Sequence, residues 1–182
     1  MILLFIFNLL GFFLYSVDPK YIEYLHEVDP HVYFKKGDDK YNKNRPYIGL
    51  LKSFNGHLYL IPLSHYEEWR FGDCDRIDYK RFVILIHDCF FKGLFFKYIA
   101  AVRPCYMIPV KEGVFKRKHI IGNPLLGREY NVVKNLLKDI IEMAEMLYSE
   151  QMILKKVRDG HVNFANLEKA CDEYIVWFLI LV

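Results

Sequence analysis

The pattern of apolar and polar positions divides the chain into a short helical start, a β-rich middle and a helical end. Asp18-Pro19 is typical of a helix start, because an Asp cap precedes a Pro at the first helical position. Apolar residues then recur at helical spacing until Asp29-Pro30. Residues 31–46 are polar and predict a long loop, and a loop of this size in a compact domain is often functional.

The middle of the chain has the pattern of β-strands. Tyr47–Phe54 and His57–Leu63 flank Asn55-Gly56, a strong signal for a hairpin turn. Residues 64–80 are polar and predict irregular structure with part of a helix. Three more apolar runs predict strands: Phe82–Ile86, Tyr98–Val102 and Cys105–Val110. Of these, Phe82–Ile86 could equally be helical.

The end of the chain has helical periodicity. Apolar residues from Glu129 to Arg158 lie on one face of a long amphipathic helix, which Asp159-Gly160 ends. A final helix is expected from about Phe164 to Ile175. The sequence therefore predicts an α+β domain with a strongly bent antiparallel sheet, flanking helices and a long C-terminal helix.

Both chain ends are apolar. Residues 1–17 contain no Lys or Arg and no A-x-A-like cleavage site, unlike a signal peptide, and they fall short of the roughly 20 residues of a membrane span. They could form a weak membrane anchor, a first strand with an apolar lead, or the product of a start codon placed too far upstream. We favour the last two, and we expect no stable membrane partner. The apolar run Ile175–Val182 is also too short to span alone.

Composition narrows the class of protein. The 182 residues are 53% hydrophobic and 26% charged, which excludes a disordered chain. The four cysteines show no CxxC pairing, so we expect neither a zinc site nor a disulfide framework but reduced thiols in the cytoplasm. The scattered His, Cys and Asp residues form no convincing metal set, and we expect no cofactor.

Positive charge is concentrated in one segment. The net charge is +3, but residues 80–118 contain nine Lys and Arg against two Asp and Glu, and each flank is mildly acidic. This segment could be a polyanion-binding face or a set of solvated side chains on strand edges and loops. The candidates for RNA binding are Lys80, Arg81, Lys92, Lys97, Arg103, Lys111, Lys116, Arg117 and Lys118.

Four motifs in order resemble one known family. They are YSVDPKYIEYLHEVDPHV, KYNKNRPYIGLLKSFNGHLYLIPLS, MIPV and NFANLEKACDEYI. Together they resemble the ToxN/AbiQ family, the endoribonuclease toxins of type III toxin–antitoxin systems. The resemblance runs from about Phe13 to Ile175. It therefore leaves Met1–Phe12 outside the pattern and favours a single domain over residues 13–182.

The resemblance carries several expectations about function. It implies a metal-independent, cytoplasmic RNase with a MazF/Kid-like barrel core that cleaves single-stranded, A-rich cellular or phage RNA. It also implies inhibition by a repetitive, pseudoknotted antitoxin RNA, a cyclic protein–RNA assembly, and a role in phage abortive infection or plasmid maintenance. The alternative is a catalytically impaired RNA-binding or membrane-tethered module.

The family's active-site pattern falls on particular residues here. Its first conserved tyrosine falls on Tyr21, and its loop tyrosine and basic residue fall on Tyr41 and Arg45. Its tryptophan falls on Trp69. Tyr41 and Trp69 could stack on bases, and Tyr21 could donate to a phosphate oxygen. Arg45, with Lys43 nearby, could hold the phosphate and stabilise its developing charge.

One position departs from the family pattern. The catalytic serine falls on His65, the following lysine falls on Glu67, and Ser64 keeps the preceding hydroxyl. Either the register slips by one and Ser64 is catalytic, or His65 takes over, or this copy is impaired. Metal-free RNA cleavage by 2′-OH attack needs a base, an acid and cations, and a histidine such as His65 is a residue type that can act as either the base or the acid.

Overall fold

A large antiparallel sheet with helices packed against it dominates the computed structural model, which describes residues 13–72, 75–87, 98–118 and 124–175. The strands are β1 (Leu14–Val17), β2 (Tyr47–Phe54), β3 (His57–His65), β4 (Ile77–Asp78), β5 (Val83–His87), β6 (Tyr98–Val102), β7 (Ile108–Val110) and β8 (Phe115–Arg117). The helices are α1 (Pro19–Val28), α2 (Asp39–Asn44), α3 (Glu68–Phe71), α4 (Pro124–Asn135), α5 (Leu137–Met152) and α6 (Phe164–Glu173), and a 3₁₀ turn covers Pro104–Tyr106.

The sheet is open. Its strand order is β4-β5-β6-β3-β2-β1-β8, with β7 also pairing with β3, and all of these pairs are antiparallel. Among the described strands, β4 and β8 are the two ends and do not pair with each other. The predicted α+β class with an antiparallel sheet is confirmed. The MazF/Kid-like barrel core is not confirmed, because the sheet formed by the described strands is not closed. The end strands have only two and three residues, too few to form a closing seam.

Local signals placed the first helix and the hairpin correctly. The Asp18 carboxylate accepts a hydrogen bond from the Lys20 amide at 2.9 Å and caps α1. Asn55 and Gly56 have φ of 48° and 83°, the left-handed conformation that a two-residue hairpin turn requires. The last helix, α6, begins at Phe164 as expected.

Two predicted elements are wrong in detail. The loop over residues 31–46 contains α2, because the Asp38 side chain accepts the Tyr41 amide at 2.9 Å and so caps a helical turn. The predicted strand Cys105–Val110 begins as the 3₁₀ turn, and only Ile108–Val110 pairs with β3.

The predicted long helix Glu129–Arg158 is two helices. The chain leaves the helical conformation at Leu136, whose amide hydrogen is shared between the carbonyls of Val132 and Val133. The break lets α4 contact β5, whereas α5 packs against the 3₁₀ turn and α6. Helix α5 ends at Met152, six residues before Arg158.

The core contains a buried polar network centred on Glu168. One oxygen of this buried carboxylate accepts hydrogen bonds from the hydroxyls of Tyr59 at 2.8 Å and Tyr148 at 2.7 Å, and the other accepts from Asn55 at 3.0 Å. The Tyr59 side chain is fully buried, and its hydroxyl is satisfied only through this network. The contact ties the hairpin to the C-terminal helices.

Across the described ranges, no helix is both long enough and apolar enough to cross a membrane. The leader Met1–Phe12 and the tail 176–182 lie outside the described residues.

Candidate active site

Arg45 and Ser64 meet where β2 begins and β3 ends. Arg45 follows α2, and Ser64 is the penultimate residue of β3. The backbone brings them together, because the Leu63 amide donates to the Pro46 carbonyl at 2.9 Å. The side chains of the adjoining residues also meet, because Nη2 of Arg45 donates a hydrogen bond to Oγ of Ser64 at 2.9 Å. The serine oxygen therefore accepts from a cation, which leaves its own proton available to another acceptor.

The guanidinium of Arg45 is buried and only partly satisfied. Only 5% of the residue is exposed, and Nε and Nη1 have no hydrogen-bond partner among the described residues. The ring of Tyr33 lies 4.0 Å from its Cζ, and that of Tyr41 lies 5.8 Å away. Aromatic contacts compensate only part of the desolvation of a cation. An anionic ligand could accept hydrogen bonds from both of these buried nitrogens and balance the positive charge of the guanidinium.

Burial favours the neutral, hydrogen-donating form of two tyrosines near Arg45, Tyr41 and Tyr47. Burial raises the pKa of Tyr41, although the nearby Arg45 cation lowers it. Burial raises the pKa of Tyr47, the first residue of β2, to about 12. Tyr33, which the sequence analysis missed, also lies here, with its ring centroid 5.9 Å from that of Tyr41. Its only signal in the sequence was its position in a polar loop rich in tyrosine and lysine.

Two lysines flank the loop that carries Arg45. Lys43 is exposed on α2. Nζ of Lys118, just after β8, donates to the Asn44 carbonyl at 2.9 Å, and burial lowers its pKa. Lys118 therefore lies beside the loop that carries Arg45.

His65 points away from the Arg45–Ser64 contact. Successive side chains of a strand face opposite sides of the sheet, so His65 shares a face with Leu63 and not with Ser64. It is exposed at the end of β3. Trp69 lies beyond it on α3 and is 82% exposed, so it is available to stack on a base and is not a core anchor.

Tyr21 does not belong to the site. The residue is fully buried, and its hydroxyl donates to the Pro109 carbonyl at 2.8 Å. Its ring packs edge-on against Tyr174, with centroids 4.9 Å apart. The expectation that Tyr21 contacts a phosphate is wrong, because the core takes both its ring and its hydroxyl.

The basic segment 80–118 does not form one face. Lys80 and Arg81 lie in the turn between β4 and β5, whereas Lys116 and Arg117 lie on β8 at the opposite end of the sheet. Nζ of Lys111 donates to the Asp172 carbonyl at 3.3 Å, near the end of α6. The described basic residues are therefore spread over the sheet and do not together form the polyanion-binding face. Lys92 and Lys97 lie outside the described residues.

Metal ligands are not clustered in the part of the chain that the structure describes: no group of three His, Cys, Asp or Glu is close enough to hold an ion.

The sequence matches a model of a known protein family. A model described as toxin ToxN of type III toxin–antitoxin systems matches residues 13–172. The chain belongs to this ToxN family. It is 27% identical to endoribonuclease ToxN of Bacillus thuringiensis subsp. kurstaki over 182 residues, which cover 88% of this chain and 82% of that protein. A shorter match of 55 residues to endoribonuclease ToxN of Pectobacterium atrosepticum is 38% identical and covers 30% of this chain and 32% of that protein.

Solved structures of type III toxins share the ToxN-family fold seen here. One, from work on selective toxin inhibition by a non-coding RNA pseudoknot, has a TM-score of 0.70 at 23% identity and covers 90% of this chain and 98% of that chain. Another, AbiQ, a lactococcal anti-phage endoribonuclease, has a TM-score of 0.71 at 18% identity and covers 89% and 96%. At these identities the likeness concerns the fold.

Proposed function

We propose that this protein is an endoribonuclease toxin of a type III toxin–antitoxin system and that Arg45 and Ser64 form the centre of its active site. Family membership supports the class of toxin, and relatives named endoribonuclease support the reaction. The observation that carries the assignment of the site is the buried Arg45 guanidinium, which contacts Ser64 and keeps two donors without a partner.

The proposed reaction uses no metal ion. The 2′-oxygen of the RNA attacks the adjacent phosphorus while its proton passes to solvent, and negative charge develops on the non-bridging oxygens. The bond from phosphorus to the 5′-oxygen then breaks, and that oxygen takes a proton from solvent, which leaves a 2′,3′-cyclic phosphate and a 5′-hydroxyl end. The free donors of Arg45 and the hydroxyl of Ser64 stabilise that charge, a contribution typically worth about 10²–10³-fold for each donor. Tyr41, kept protonated by its raised pKa, supplies a further donor.

Of the interpretations of the departure from the family motif, we favour the register slip that makes Ser64 the catalytic serine. Ser64 faces Arg45, whereas His65 is exposed on the other side of the strand. In this proposal the motif places a hydroxyl beside the guanidinium, and the residue after it is free to vary.

The proposed partners are RNAs. By analogy with the toxin inhibited by an RNA pseudoknot, we propose that a repetitive, pseudoknotted antitoxin RNA inhibits this protein in a cyclic assembly. The proposed substrate is single-stranded, A-rich cellular or phage RNA in the cytoplasm. We retain residues 13–182 as the proposed nuclease domain.

Comparing Ser64→Ala with His65→Ala tests the proposal. Each variant is induced in a heterologous bacterium at matched protein level, growth arrest is measured, and RNA ends are mapped. We expect wild type and His65→Ala to arrest growth and produce new 5′-hydroxyl ends, and Ser64→Ala to do neither. Ser53→Ala, an exposed serine on β2, is the control and should behave as wild type.

Other outcomes separate the alternatives. Loss of cleavage in His65→Ala but not in Ser64→Ala would transfer the catalytic role to His65. Gain of cleavage in His65→Ser would indicate that the imidazole crowds the scissile phosphate. A folded wild type that cleaves no RNA would refute the nuclease proposal and favour an RNA-binding module.

A further inference from the structure

A second cationic feature lies on the same face of the sheet as Ser64. It is a pocket of about 280 Å³ whose lining includes three arginines from three separate elements. Arg70 comes from α3, Arg81 from the turn before β5, and Arg103 from the segment after β6. The remaining polar lining is Tyr106, Asp159 and His161. Three arginines against one carboxylate leave the lining net positive, and Nε of Arg81 also forms a 3.7 Å ion pair with Oδ2 of Asp78 outside the lining.

The strand register relates this pocket to the candidate active site. Ser64 is paired with Ala101, and Arg103 follows two residues later, so its side chain emerges on the same face. Two residues of strand extend about 7 Å, and one strand spacing is about 4.8 Å. Arg103 is therefore within reach of the next or next-but-one phosphate of a strand bound at Arg45 and Ser64.

The surroundings restrict one arginine, and they favour the neutral form of His161, so the positive charge of the pocket comes from the arginines. The Arg103 guanidinium lies 4.2 Å from the ring centre of Tyr106, which restricts its orientation. Burial lowers the pKa of His161, and the nearby cations Arg158 and Arg103 lower it further. Glu150, which forms a 2.9 Å ion pair with Arg158, acts in the opposite direction.

An unusual backbone conformation presents Arg81 to the pocket. The next residue, Phe82, is fully buried and has φ of 53°, a conformation that aromatic residues rarely adopt. Its ring contacts the Arg158 guanidinium at 4.7 Å and packs edge-on against His161. Strained backbone of this kind tends to persist at functional sites.

We propose that this pocket, which we call the arginine pocket, binds a backbone phosphate of the RNA strand whose neighbouring phosphate occupies the Arg45–Ser64 site. The inference rests on the proposed function, because it takes that site to hold RNA. Arginine forks from three directions suit the tetrahedral oxygens of a phosphate. The exposed Trp69 precedes Arg70 on α3, so the adjoining base has an aromatic surface beside the pocket.

Binding of a non-cleavable probe tests this inference separately from catalysis. The probe is a single-stranded 2′-O-methyl oligoribonucleotide of about eight residues, which lacks the attacking hydroxyl. Its Kd is measured over a range of salt concentrations for wild type, Arg81→Gln and Arg103→Gln. The control is Arg76→Gln, which removes the same charge from an exposed residue that does not line the pocket. A second arm repeats the series with a folded pseudoknot RNA.

For a single-stranded ligand, each lost phosphate contact should reduce the slope of log K against log salt by about 0.7. We expect this reduction in both pocket variants and not in Arg76→Gln, and a 2′-O-methyl dinucleotide should be insensitive to either change. An effect only in the pseudoknot arm would assign the pocket to a folded RNA and would overturn the inference that it binds the single strand held at Arg45 and Ser64. Pocket variants indistinguishable from Arg76→Gln would refute the inference. Cleavage by wild type is measured independently, so either proposal can fail alone.

Discussion

Replacing Arg45 with methionine should abolish cleavage without destabilising the protein. The guanidinium is buried with two donors unsatisfied, and each such donor costs about 1–3 kcal/mol. Against this cost stand the hydrogen bond to Ser64, worth about 1.5–3 kcal/mol, and the contact with the Tyr33 ring, worth about 0.5–2 kcal/mol. These contributions nearly cancel.

Methionine fills similar space with a flexible apolar chain and leaves no donor unpaired. The half-buried hydroxyl of Ser64 can then bind water. We therefore expect the free energy of unfolding of Arg45→Met to stay within about 1 kcal/mol of wild type or to rise by up to about 2 kcal/mol, as when a buried charge is replaced by an apolar residue. Cleavage should fall by at least about 10²-fold, because donors to the developing charge are lost.

Two assays measure these quantities. Urea unfolding followed by circular dichroism gives the free energy of unfolding, and single-turnover cleavage of a labelled single-stranded RNA gives the rate. Lys40→Met, an exposed residue of α2, is the matched control for loss of one positive charge. Destabilisation by more than about 2 kcal/mol would show that Arg45 is needed mainly for folding. Cleavage at the wild-type rate would remove it from the active site.

Three further changes have distinct expected results. Tyr59→Phe removes a buried hydrogen bond to Glu168 and should lower the free energy of unfolding by about 1.5–3 kcal/mol in urea, and an unchanged value would mean that the network contributes nothing. Because burial raises the pKa of Tyr47 in the folded protein to about 12, its contribution to stability is complete below pH 10 and is lost between pH 10 and about 12. In unfolding titrations over that pH range, Tyr47→Phe should therefore lose less stability than wild type. Parallel curves of stability against pH for the two proteins would contradict this. Trp69→Ala should weaken binding of a 2′-O-methyl oligonucleotide by about 1–3 kcal/mol, measured by fluorescence anisotropy, and equal affinity would exclude stacking.

The sequence predicted most accurately those features that depend only on neighbouring residues. The cap at Asp18 and the turn at Asn55-Gly56 depend on neighbouring residues only, and both are present. The open sheet and the break at Leu136 depend on strand lengths and on packing between distant segments. Hydrophobic periodicity continues through Leu136, which is buried at the break, so the apolar pattern contains no signal for the end of one helix and the start of the next.

The Arg45–Ser64 contact is a second feature that local sequence patterns could not predict. A regular hairpin about Asn55-Gly56 would place Arg45 opposite Tyr66. The observed pairing shifts by two residues between Gly49 and Ser53, and the shifted register places Arg45 opposite Ser64. A shift of two keeps every side chain on its own face, so the alternation of apolar residues does not reveal it. The residue types of the site were predictable, but their juxtaposition was not.

The two halves of the proposed Arg45–Ser64 site should differ in mobility, because Ser64 lies on strand β3 and Arg45 does not. Strand β3 is a central strand, pairing with β2 on one side and with β7 and then β6 on the other. Its amides exchange with solvent only when large parts of the sheet open, at a free energy near that of global unfolding. The segment 31–46 that carries Arg45 is held by a six-residue helix and loop contacts, so it can open separately. Hydrogen exchange should therefore give a lower opening free energy at Arg45 than at Ser64, and the protein can lose its cation transiently while its serine stays in place.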